Sequence, residues 1–239
     1  MDSSEISVSL DRRSLITSFN IERGSEDGMN FINRSIYPNY RDLLVSMKSV
    51  LKWYRSQYLA PSPLFVKRQV LVRNAIVNGI YVETGTYLGD TTNFLSQRFP
   101  KVISIEPEAT LFEKAKKRFS DKKDVHILHG CSEDIFPTLL TELNGDINFW
   151  LDGHYSGGDF WKTYKGKSDT PIISELRHIR DNIHKFNQVA ILVDDIRCFQ
   201  EGSRLPDYPT LDYLVDWARE LSLNWHIEHD IFVARSAGP

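Results

Sequence analysis

The sequence predicts an α/β fold, a largely parallel sheet with helices on both faces. Three observations carry that expectation. Five short runs rich in Val and Ile, at residues 80–83, 102–106, 125–129, 147–152 and 189–194, are apolar on both faces, as strands covered from two sides must be. Amphipathic helical segments alternate with them, and strand–helix alternation implies parallel strands joined by right-handed crossovers. A closing segment, 224–234, reads as a tight hairpin turning near His229-Asp230, which adds an antiparallel end.

Up to about Asn39 the chain is polar with little periodicity. Residues 1–39 are expected to be an arm or substrate lid, disordered in part, and 40–239 the domain with its N-terminal helices. A helix is expected over 40–60, where Leu43, Met47, Val50, Tyr54 and Tyr58 recur at helical spacing. Pro61 and Pro63 stop it, because proline lacks the N–H. A second helix, 64–78, is expected to end at a left-handed Gly79. Between the strands, 91–99 carries Phe94, Leu95 and Phe99, and 109–119 carries Phe112, Ala115 and Phe119. Segment 135–143 carries Ile135, Phe136, Leu139 and Leu143, and 171–185 carries Ile172, Leu176, Ile179 and Ile183. Thr170 is a fitting N-cap there, with Pro171 at the first helical position. The last helix, 210–222, carries Leu211, Leu214, Val215 and Ala218.

Composition bounds the function. The 239 residues are 41% hydrophobic and 26% charged, with a formal net charge of -3. That balance argues against non-specific phosphate binding, so no nucleic-acid partner is expected. No apolar run approaches the roughly 20 residues that cross a bilayer, and residues 1–30 hold no apolar signal core. A cytoplasmic protein without a membrane partner is expected, with Cys131 and Cys198 as reduced thiols, since their number and spacing make no disulfide framework. The charge balance leaves a homodimer open.

Four motifs lie where strands end. The first is Glu83-Thr84-Gly85-Thr86-Tyr87-Leu88-Gly89. Gly85 permits a tight turn and close backbone approach, and Gly89 lets a helix start near the same point, with Asp90 or the first N–H groups free to bind a ligand. The pattern lacks the middle glycine of the dinucleotide fingerprint. The second is Glu106, placed to accept hydrogen bonds from two ribose hydroxyls and expected to be an exposed strand-end acid. The third is Gly130-Cys131-Ser132-Glu133-Asp134, in which Ser132 caps the next helix and Ser132 or Glu133 can meet an adenine edge.

Together these motifs resemble the class I S-adenosylmethionine-dependent methyltransferases from about Leu64 onward. The resemblance implies a Rossmann-like, doubly wound sheet of seven strands in the order 3-2-1-4-5-7-6 with an antiparallel last strand. It also implies that the cofactor contacts Glu83, Gly85, Thr86, Gly89, Asp90, Thr91, Glu106, Ser132, Glu133 and Asp152.

The fourth motif pairs Leu151-Asp152-Gly153-His154-Tyr155 with Val193-Asp194-Asp195. In a parallel sheet these strand ends are neighbours. Three carboxylates in one crevice repel and raise one another's pKa. A divalent cation would remove that cost, and all-oxygen ligands suit Mg²⁺, with Mn²⁺ or Ca²⁺ as alternatives. Adjacent strand residues point to opposite faces, so Asp194 and Asp195 act together only if the chain turns there. These segments resemble metal-dependent O-methyltransferases of the catechol and macrocin types, which implies Asp152, Asp194 and Asp195 as metal ligands. The lysine base of the catechol enzymes is Tyr155 here, which leaves His154 as the candidate base, with Asp152 beside it.

The function expected is methylation of a hydroxyl on a small molecule such as a sugar, a phenol or a natural-product intermediate. Metal-independent N- or C-methylation, and non-catalytic binding of S-adenosylmethionine, stay open as alternatives. The loop 157–167, with Trp161, Lys162, Tyr164 and Lys165, is either a substrate-stacking element or a solvated loop. His226 and His229 read as structural.

Overall fold

The computed structural model describes residues 40–153, 170–201, 205 and 207–237, which belong to one compact unit over Ile36–Pro239. Its elements in chain order are α1 (Tyr40–Arg55), α2 (Leu64–Asn74), β1 (Ile80–Thr84), α3 (Asp90–Ser96), β2 (Val102–Glu106), α4 (Ala109–Arg118), β3 (Val125–His129) and α5 (Ser132–Glu142). There follow β4 (Gly145–Leu151), α6 (Ile172–Asn182), β5 (Phe186–Val193), α7 (Leu211–Glu220), β6 (Asn224–Glu228) and β7 (Ile231–Arg235).

The seven strands form one sheet in the order β3-β2-β1-β4-β5-β7-β6. The first five run parallel, and β7 is antiparallel to both of its neighbours. This is the expected doubly wound α/β architecture. The hairpin turns at His229 and Asp230, both with positive φ (49° and 70°), the geometry that a two-residue turn between twisted strands requires.

The core is thickest around the central strands. Phe136, Phe149, Leu176, Ile191 and Phe232 are almost fully buried in one continuous cluster. The Trp217 indole donates to Leu176 O at 3.1 Å, tying α7 to α6. The outer strands are wetter than a two-sided apolar reading allows: His126 and His129 of β3 are exposed, and β6 is exposed along most of its length. Edge strands have only one sheet neighbour, so less of their surface is covered.

Some boundaries differ for physical reasons. Helix α1 stops at Arg55, before the prolines, because Gln57 and Tyr58 take left-handed φ and Tyr58 N closes back on Trp53 O at 3.0 Å. Its apolar positions Met47 and Tyr54, and Tyr58 just beyond its end, are exposed. Helix α2 ends at Asn74, whose side chain bonds back to Val70 O at 3.0 Å. Asn78, and not Gly79, takes the left-handed conformation. The smallness of Gly79 serves packing instead, since a Cβ there would lie 2.7 Å from Asn148 Nδ2. That amide accepts from Ile76 N at 2.6 Å and donates to Ile76 O at 3.1 Å, which joins β4 to the end of the helical hairpin. Helix α5 begins three residues earlier than expected, with Glu133 and Asp134 in its first turn, where negative charge suits the helix dipole. Ser132 is its first residue and Cys131 its N-cap, so the capping role expected of Ser132 is not the one it has.

Candidate functional site

The parallel strands end along one edge of the sheet, and the predicted acids gather there. After Thr84 the chain turns at Gly85 (φ +89°), where Gly85 N and Thr86 N both donate to Ile105 O, at 3.0 and 3.2 Å. A Cβ on Gly85 would lie 2.7 Å from Asp152 O, so glycine is what lets the ends of β1 and β4 approach. Gly89 (φ +77°) caps α3, and a Cβ there would press on the Phe119 ring at 2.8 Å.

Glu83 is buried, 1% exposed, beneath this turn. It accepts from Ser104 Oγ at 2.6 Å and from Thr92 Oγ1 at 2.5 Å. Burial pushes its pKa up to about 7, and the two hydroxyls pull against that rise. Thr86 Oγ1 meets Ser104 Oγ at 2.6 Å in the same network. Glu106 is not the exposed acid expected from its strand-end position: it is 3% exposed and accepts from Tyr87 N at 2.7 Å and Glu108 N at 3.0 Å. The turn after β1 folds over it and covers it. Burial raises its pKa, and those two backbone bonds oppose the rise. Asp90 points the other way, exposed and paired with Arg118 at 2.8 Å. Thr91 is half-buried in the first turn of α3.

At the ends of β4 and β5, Asp152 N donates to Thr84 O at 3.2 Å and Asp194 N to Leu151 O at 3.1 Å, which brings the two aspartates to neighbouring strand ends. The turn needed for Asp194 and Asp195 to act together is present, because Asp195 has φ +59°. What they meet is Lys67 of α2. Its ammonium donates to Asp194 Oδ2, and to Asp195 Oδ1 at 3.3 Å. Asp194 Oδ1 accepts from Asp195 N at 2.8 Å. Asp195 Oδ1 also accepts from Arg197 at 2.7 Å, and Arg197 reaches on to Asp230 in the hairpin turn. Burial alone would lower the Lys67 pKa, but Asp194, Asp195 and Asp152 outweigh it and hold the lysine charged. Burial, and then Asp152, push the Asp194 pKa above the ordinary carboxylate range, and Lys67 offsets this only in part.

Beside this cluster lies a narrow cleft of about 10 Å³, open to solvent, whose walls include Asp152, Thr170, Glu175, Asp194, Phe199 and Tyr208. Glu175 is 1% exposed and faces the hydroxyls of Ser132 and Thr84. Burial raises its pKa to about 7. Glu175 Oε1 and Thr84 Oγ1 are buried, and among the described residues neither has a partner at full hydrogen-bond geometry. Thr170 is not the expected N-cap of α6: the helix starts at Ile172 with Pro171 as its N-cap, and Thr170 Oγ1, one residue outside, accepts from Ile172 N at a long 3.4 Å. Glu133, half-buried, adds negative charge near Glu175.

Glu83, Gly85, Thr86, Glu106, Asp152 and Asp194 thus share one sheet edge, while Asp90 is turned into a surface ion pair. His154 and the 157–167 loop lie outside the described residues. His226 and His229 sit beside Glu228, at 3.7 and 4.0 Å, and the His229 ring packs edge-on against Trp53. Sequence reasoning missed Lys67, Glu175 and Arg197. Lys67 stands three, four and seven residues before buried Val70, Leu71 and Asn74, and Glu175 stands within the stripe Ile172, Leu176, Ile179. A charged residue on a helix's buried face is the signal that could have found both.

No family model matches the sequence, and no curated protein matches it. Solved structures similar to the chain include the O-methyltransferase TomG of Streptomyces achromogenes, involved in tomaymycin synthesis and solved with SAM (16% identity, 77% of this chain and 85% of that chain, TM-score 0.48). Others are a SAM-dependent methyltransferase from Aquifex aeolicus (13% identity, 71% and 88%, TM-score 0.46) and an rRNA methylase from Streptococcus thermophilus (15% identity, 74% and 96%, TM-score 0.42).

Proposed function

We propose that the chain transfers the methyl group of S-adenosylmethionine to a hydroxyl oxygen of a small molecule. The observation that carries this reading is the placement of Glu106, the Thr84-Gly85 turn, Asp152 and Asp194 at the carboxyl ends of four adjacent strands, β2-β1-β4-β5. Ligands of open α/β sheets bind in that position. The residues present fit the cofactor. Two ribose hydroxyls are donors, and the Glu106 carboxylate at the end of β2 is an acceptor that they reach once the covering turn at Tyr87 shifts, since each of its oxygens accepts a backbone N–H in this structure. A sulfonium and an ammonium are cations, and the cleft wall is acidic at Asp152, Glu175 and Asp194.

When bound, S-adenosylmethionine supplies an electrophilic methyl group. The chain's part is to align the acceptor oxygen and remove its proton. Asp152, beside the Gly85 turn, suits the aligning role, and His154, two residues later in the sequence, is the proposed base.

The resemblance to metal-dependent enzymes asks Asp152, Asp194 and Asp195 to hold Mg²⁺, Mn²⁺ or Ca²⁺. Their arrangement does not fit that ion, because Lys67 and Arg197 already bond Asp194 and Asp195. Among the described residues no group of three or more acidic, histidine or cysteine side chains is arranged to hold a metal. That ion pairing favours metal-independent transfer. Incubation with methyl-labelled S-adenosylmethionine and a set of sugars and phenols, followed by NMR of the product, is expected to place the label on oxygen with or without chelator. Label on nitrogen or carbon would move the acceptor class. Tight cofactor binding with no transfer would favour the non-catalytic alternative.

A further inference from the structure

We propose that Lys67 is the resident cation of the carboxylate cluster and occupies the place that the sequence resemblance gives to a divalent metal. The argument begins in α2. Lys67 lies on the helix face that buries Val70, Leu71 and Asn74, so its stem runs inward, and the side chain is only 14% exposed. The left-handed turn at Asp195 then brings two consecutive carboxylates, which an extended strand would separate, onto one ammonium.

The oxygens of this pair are heavily committed. Asp194 Oδ2 and Asp195 Oδ1 accept from Lys67, Asp194 Oδ1 accepts from Asp195 N, and Asp195 Oδ1 is shared with Arg197. Mg²⁺ demands near-octahedral oxygen ligands at close range. An ion placed among these oxygens would sit within a few ångströms of an ammonium, so it enters only if Lys67 leaves. A lysine is a compact point charge with three donors, which suits it to this substitution. Its Nζ holds Asp194 on the wall of the cleft, where Asp152 also lies, and makes Lys67 a positioning residue. The charge assignment stands without the methyl-transfer reading. Its catalytic consequence, an Asp194 carboxylate held in one place on the cleft wall to orient an acceptor hydroxyl, rests on that reading.

The test is an electron paramagnetic resonance titration of the full chain with Mn²⁺, using wild type, Lys67→Ala and Lys67→Arg, with a thermal melt of each sample. Wild type and Lys67→Arg are expected to leave the free-ion signal unchanged. Lys67→Ala is expected to gain one Mn²⁺ site and a Mn²⁺-dependent rise in Tm, and adding Asp194→Asn should remove both. Lys67→Gln carries the same reading if the alanine variant does not fold. One tightly bound Mn²⁺ on wild type would overturn the proposal, and so would a folded Lys67→Ala or Lys67→Gln that stays metal-free. Titrating the same wild-type sample with S-adenosylhomocysteine separates the two ideas. A metal-free protein that does not bind this ligand sinks the methyl-transfer reading and leaves the assignment of Lys67 standing.

Discussion

Glu175→Gln should make the ligand-free protein more stable at pH 8 and not at pH 4. Glu175 is 1% exposed, and the Ser132 and Thr84 hydroxyls beside it offset only part of the cost of burying its charge. Burial lifts its pKa from 4.5 to about 7. A native pKa above the unfolded one means that the folded state holds the proton more tightly. The side chain therefore favours the fold fully below about pH 4.5, and that contribution is lost as pH rises through about 7. A displacement of that size corresponds to roughly 3 kcal/mol once the carboxylate is fully ionised. The glutamine amide must also be buried, with the Ser132 and Thr84 hydroxyls as acceptors, which costs about 1 kcal/mol. The net gain at pH 8 is then about 2 kcal/mol, or roughly 4–8 °C in Tm for a domain of this size. Glu83, with its own pKa raised to about 7, imposes the same slope on both proteins and cancels in the comparison. Thermal melts of wild type and variant at pH 4, 6 and 8 read this directly. A gain equal at every pH, or a loss at pH 8, would refute the reasoning.

Gly85→Ala places a Cβ 2.7 Å from Asp152 O at a φ of +89°, so it should destabilise the apo fold by on the order of 1–3 kcal/mol in urea unfolding, even without ligand. Glu106→Ala should weaken S-adenosylhomocysteine binding by about 1.5–3 kcal/mol, and should also lower apo stability measurably, because it strips Tyr87 N and Glu108 N of their buried acceptor. Unchanged melting of that variant would contradict the buried geometry.

The strands were legible because a buried parallel strand is a short β-branched run closed by turn residues. The runs at 102–106 and 125–129 coincide with β2 and β3, and the hairpin turn falls at His229-Asp230. Helix ends were less legible, since they depend on left-handed residues such as Gln57, Tyr58 and Asn78 whose conformation local composition does not announce. The acids of the site were visible as strand-end residues, but their burial was not: Glu106 is covered by a turn that sequence spacing cannot draw. Lys67 and Asp194 are 127 positions apart, and nothing local to either predicts the other. The sequence therefore pointed to a metal where the fold supplies an ammonium. The resemblance carried the residue types at the sheet edge, and the tertiary packing of α2 decided what neutralises them.

The central claim is that one sheet edge, from Glu106 to Asp152, binds S-adenosylmethionine. Calorimetric titration of the wild-type chain and Glu106→Ala with S-adenosylhomocysteine, in chelator, tests it most directly. The account predicts one-to-one binding to wild type without added metal and a clear loss of affinity in the variant. Absence of binding to wild type, or equal affinity in the two proteins, would contradict it.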